Sequence, residues 1–168
     1  HYMCDSDILP LHDNIPAVKL HPAANWATSH IPARPASDAK ELYIYSDGSL
    51  PGEGHRDDHQ PAWAIVILGL DALGAFFRVG HVASQLPFSG AVFKPTDSVA
   101  SSTVELAALL WALVWYSCAA PKVPVHVFSD SLTAVNVVNS IWSPRSNHDL
   151  VALIDVLLIR ARNMHSTY

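Results

Sequence analysis

The chain has 168 residues, half of them apolar, with 15% charged side chains and a formal net charge of −5 at neutral pH. That composition excludes global disorder and provides enough apolar mass for one substantial core. Two cysteines, Cys4 and Cys118, exclude a disulfide framework, and the scattered Arg145, Arg160 and Arg162 exclude a domain that holds polyanions by a basic run.

Residues 1–40 contain Pro10, Pro16, Pro22, Pro32 and Pro35 with little hydrophobic periodicity, and they read as an irregular N-terminal linker to one folded domain over 41–168. No basic region followed by an apolar core opens the chain, so no secretory signal is visible and an intracellular location, cytoplasm or nucleus, is expected. The chain begins with His1, as a piece of a longer protein would.

Leu42 to Ser49 alternates apolar and polar residues, Ala62–Leu70 forms a second apolar run, and Ala75–Val82 a third after the turn-like Asp71-Ala-Leu-Gly74. These spacings predict an antiparallel meander of three strands. The pair His55 and His59 lies between Pro51-Gly-Glu-Gly54 and Pro61, so it belongs to a solvated loop rather than a zinc site, for which further ligands are not evident. A second long loop is expected over Ala83–Ala100, where Lys94 reads as an ordinary surface lysine rather than a phosphate contact.

A helix follows from Ser101. Its run Leu106–Ala120 has no charge, but it is shorter than the roughly 18–20 residues of a membrane span and is bounded by Glu105, Pro121 and Lys122. A buried central helix is predicted, and no membrane partner. Val123–Ser129 is a fourth strand, and a further helix is expected over about 148–162.

Connectivity then brings three carboxylates together. If the first strand runs up, the third also ends at the top, the helix starts there, and a right-handed crossover returns the fourth strand parallel to the first. Asp47, Glu105 and Asp130 all fall on that edge. Each has a plain alternative: Asp47-Gly48 is a hairpin dipeptide, Ser102-Thr-Val-Glu105 fits a capping box, and Asp130-Ser131 can cap a helix. Caps, however, require only a polar oxygen, whereas a hard divalent cation calls for carboxylates at all three positions.

Residues 41–168 resemble a type 1 ribonuclease H domain and are most similar to those of non-LTR retrotransposon polyproteins. The resemblance is carried by Tyr45-Ser-Asp-Gly-Ser49, by Thr103-Val-Glu-Leu-Ala-Ala-Leu-Leu-Trp-Ala-Leu113, by Phe128-Ser-Asp-Ser131 and by Asn147-His-Asp-Leu150. It implies an α/β ribonuclease H-like fold, with a mixed sheet of order 3-2-1-4-(5) and helices on both faces. It also implies hydrolysis of the RNA strand of an RNA–DNA hybrid with two Mg²⁺ ions, Mn²⁺ substituting, downstream of a reverse transcriptase domain in the same polyprotein.

By position, Asp47, Glu105 and Asp130 become the catalytic metal ligands, with Asp47 bridging. Ser49 and Ser131 are candidate substrate contacts. So are Ser101 and Ser102, which stand where the family commonly has asparagines; their hydroxyls can still bond a ribose 2′-OH. The family adds a fourth acid on a final helix after a fifth strand, together with a histidine loop. That strand would begin near Met164–Tyr168, so it and the final helix are expected to be largely missing; Asp149 and Asp155 precede it and do not replace the acid. Two other readings stay open on the same fold: an inactive docking module, and a nuclease or integrase-like enzyme acting on DNA.

Overall fold

The computed structural model describes residues 31–50, 61–86 and 99–165, with side chains through residue 163. Strand β1 (Glu41–Ser49) buries Leu42, Ile44 and Ser46 on one face, the period of two that its sequence dictates. β2 (Ala62–Leu70) pairs with it antiparallel and buries Trp63, Ile65 and Ile67 on the same face. β3 (Phe76–Gln85) pairs antiparallel with β2, and its register shifts at Ile67/Leu68, where Val79 is the extra residue. β4 (Val125–Ser129) lies parallel to β1, from Leu42 opposite Val125 to Ser46 opposite Ser129. The sheet is mixed and open, in the expected order β3-β2-β1-β4.

Two strand limits differ from expectation by more than one residue. β3 continues three residues past Val82 to Gln85, which shortens the loop expected from Ala83. β4 begins at Val125 rather than Val123: Pro124 has no N–H to give a ladder, and its carbonyl instead accepts the Leu42 N–H at 2.9 Å.

Helix α1 (Ser101–Ala119) follows β3, α2 (Leu132–Val138) follows β4, and α3 (His148–His165) comes last. α1 is apolar nearly all round because it separates two cores. Val104, Ala107, Ala108, Ala112 and Tyr116 pack on the sheet with Leu42, Ile44, Ile65 and Phe77. Leu106, Leu109, Leu110 and Leu113 pack on α2 and α3 against Ala134, Leu150, Ile154 and Leu157. α1 is long and apolar enough to cross a membrane by length and composition, and 67% of that stretch is buried within the domain.

The expectation of helices on both faces holds for one face among the described residues. The other presents Tyr45, Val66, Phe76 and Phe128, each 39–50% exposed. There Tyr43 stacks on His126 at 5.0 Å, and Tyr45 stacks on Phe128 at 5.1 Å.

The domain also begins earlier than residue 41. Ala33 bridges Arg78 of β3, Ala36–Asp38 forms a 3-10 turn, and Ala39 is buried in the sheet-side core. Arg34 lies 4.5 Å from the Phe77 ring centre and donates to Asp71 at 2.8 Å. Asp71 also accepts the Leu73 and Ala75 N–H groups, each at 2.9 Å. The Ala75 bond and then Arg34 hold its carboxyl below the usual range. Residues 31–40 are therefore part of the fold rather than linker, the prolines notwithstanding. Residues 1–30, His55, His59 and Lys94 lie outside the described residues.

Candidate metal centre

Asp47 follows Ser46, and Asp130 follows Ser129, directly after the last parallel pair between β1 and β4. Glu105 is the fifth residue of α1, the helix packed on that pair. One carboxylate oxygen from each of the three lies within 4.8 Å of the others. Asp47 and Asp130 are exposed, while Glu105 is 8% exposed.

The plain alternatives for these acids are taken up by other groups. Asp47-Gly48 is not a hairpin turn: β1 runs on through Ser49, with Gly48 opposite Trp63. The start of α1 is closed by Thr103, whose Oγ1 accepts the Ala100 N–H at 3.1 Å and donates to Asn147 Oδ1 at 3.2 Å. The alternative Ser102–Glu105 capping box does not form, and Glu105 instead accepts the Gly48 N–H at 3.2 Å. Ser131 caps α2 by accepting the Ala134 N–H at 3.2 Å, and Ser129 Oγ accepts the Ser131 N–H at 3.2 Å. These serines do the local turn chemistry and leave the Asp130 carboxylate available.

Burial raises the Glu105 carboxyl above the ordinary carboxylate range, and the nearby Asp130 and then Asp47 push it further; the Gly48 N–H opposes them. Three hard oxygen donors with this mutual repulsion suit a hard cation such as Mg²⁺ or Mn²⁺ and offer nothing to a soft thiophilic one. Asp47, Glu105 and Asp130 are the residues that could hold it.

The candidate substrate contacts divide. Ser49, opposite Ala62 at the end of β1, and Ser101 are exposed and available to a ligand. Ser102 is half-buried, and Ser131 is engaged in its cap. Sequence reasoning passed over a groove of about 820 Å³ that runs from Ser102 past Thr133 to Trp142, Arg145 and Asn147. Its available signal was the segment Ile141-Trp-Ser-Pro-Arg145, which places an aromatic ring and a cation in a short connection between two helices. Ser140 and Asn147, both at φ 59°, turn the chain at its two ends. No protein-family model matches this chain, and no curated protein matches it.

Proposed function

We propose that this chain is a metal-dependent endonuclease on a ribonuclease H-like fold that hydrolyses the RNA strand of RNA–DNA hybrids, within a retroelement polyprotein that also holds a reverse transcriptase domain. The observation that carries the proposal is the convergence of Asp47, Glu105 and Asp130 from three separate elements to within 4.8 Å. The sheet order and the four matching sequence segments support the same reading.

Divalent cations held by these carboxylates would supply Lewis-acid activation of water and neutralise charge on the departing 3′ oxygen. The chain's own residues do the rest. Asp47 and Asp130 present exposed carboxylates at the sheet edge, where a phosphodiester can reach them. Glu105 closes the buried side, anchored by Gly48. Ser101 and Ser102, one turn from Glu105, stand where hydroxyls can meet a ribose 2′-OH in the wide, shallow minor groove of an A-form-like hybrid. The groove beyond Ser102 supplies Trp142 for stacking and Arg145 for phosphate. With a formal net charge of −5 the chain binds nucleic acid weakly by itself, and a cation held by the carboxylates would offset that repulsion.

The test is cleavage of a labelled hybrid beside duplex DNA, at low salt, with and without Mg²⁺, for wild type and Asp47→Asn. Hybrid-selective, Mg²⁺-dependent cutting that disappears in a folded Asp47→Asn is expected. Equal cutting of duplex DNA points to the DNA-acting enzyme, and no cutting with Mg²⁺ bound points to the inactive docking module.

A further inference from the structure

Gly48 sits in an extended strand, and among the described glycines only Gly74 has a positive φ, so backbone freedom does not explain its presence in β1. Space does. A Cβ at position 48 would lie 2.5 Å from the Val104 carbonyl carbon, 2.6 Å from the Glu105 nitrogen and 2.8 Å from the Val104 oxygen. These are backbone atoms of α1, which no rotamer change can move aside. The end of β1 and the second turn of α1 are thus in direct backbone contact, between the two residues that contribute Asp47 and Glu105. The Gly48 N–H completes the junction by donating to Glu105 Oε2.

We propose that Gly48 is a positioning residue of the carboxylate cluster: its missing side chain lets β1 lie against α1, and its N–H fixes Glu105, so that the Asp47 and Glu105 carboxylates converge. This inference rests on the reading that the cluster holds a divalent cation. Any side chain at position 48 pushes α1 away from the sheet edge, removes Glu105 from its donor and opens the cluster. A purely structural glycine would affect stability alone. Gly69 provides that comparison, because a Cβ there would overlap the buried Phe77 ring at the far end of β2, opposite Leu42 rather than Asp47.

The experiment compares wild type, Gly48→Ala and Gly69→Ala by Mn²⁺ titration in calorimetry, by thermal unfolding, and by crystal structures without metal. Gly48→Ala is expected to weaken Mn²⁺ binding about 10- to 100-fold, the usual range for loss of a group that orients a ligand. Its carboxylate oxygens should stand beyond the 4.8 Å of the wild type. Gly69→Ala should lose thermal stability and keep wild-type Mn²⁺ affinity. A Gly48→Ala structure with the carboxylates unmoved, or an unchanged Mn²⁺ affinity, overturns the inference. A wild type that takes up no Mn²⁺ overturns the metal-site reading instead, and the metal-free Gly48→Ala structure still decides the geometry. Should Gly48→Ala not fold, amide exchange decides: Gly48 should be protected in metal-free wild type and selectively exposed in Glu105→Ala. Equal Gly48 protection in the two proteins overturns the inference.

Discussion

Neutralising one acid of the cluster separates a cation site from a structural one, because the two make opposite demands on stability. At 4.8 Å two unit charges repel by about 0.9 kcal/mol in water-like surroundings and about 3.5 kcal/mol at an effective dielectric near 20. Asp130 is exposed, so solvent screening favours the lower figure, and Asp130→Asn should stabilise the metal-free protein by about 1 kcal/mol. The order should invert in Mg²⁺. A cation at 100 times its dissociation constant adds about 2.7 kcal/mol to wild type, and the variant, lacking one ligand, should gain much less. Urea unfolding at neutral pH, once in chelator and once in excess Mg²⁺, reads both effects from the midpoints. A variant less stable than wild type in chelator would refute the repulsion argument. A variant that gains as much from Mg²⁺ as wild type would refute the ligand assignment.

The Glu105 carboxyl, raised by burial and its two neighbours, holds its proton to higher pH in the folded than in the unfolded chain. Metal-free stability should therefore fall as pH climbs from the ordinary carboxylate pKa to the raised one, and Glu105→Gln should abolish that slope in pH-dependent denaturation. Over the same window, cation uptake by wild type should release protons, visible as a buffer-dependent heat in calorimetry. Replacing Ser101 and Ser102 together by alanine should erode the preference for hybrid over duplex DNA while leaving Mn²⁺ affinity in place. Competitive cleavage beside a metal titration checks this, and an unaltered preference would remove the serines from substrate recognition.

Strand periodicity was legible wherever one face met a core: Leu42, Ile44, Trp63, Ile65 and Ile67 announced β1 and β2, and handed connectivity placed β4 beside β1. The convergence of the three acids followed from the same connectivity. Local chemistry was harder to read, because one dipeptide serves several geometries. Asp47-Gly48 looks like a turn, but its glycine is needed for a contact with Val104 that lies 56 residues away in sequence. Residues 31–40 look like linker because Pro32 and Pro35 mask a segment held by one arginine, an aromatic face and a carboxylate on another turn. The groove at Trp142 is formed by side chains from α1, α2 and a connection, and no periodicity in any one of them encodes it.

The three carboxylates do not rest on equally firm ground. Asp47 leaves a strand paired on both sides, and Glu105 leaves a helix packed into two cores, whereas Asp130 directly follows a five-residue strand that pairs with β1 alone among the described residues. Local opening of a folded protein starts where backbone hydrogen bonds are few and exposed, so β4 should open before the rest of the sheet and carry the third acid with it. Ion capture and strand closure then become one equilibrium. A cation gripped from all three sides would fasten β4 to the domain, and loss of the cation would loosen that edge.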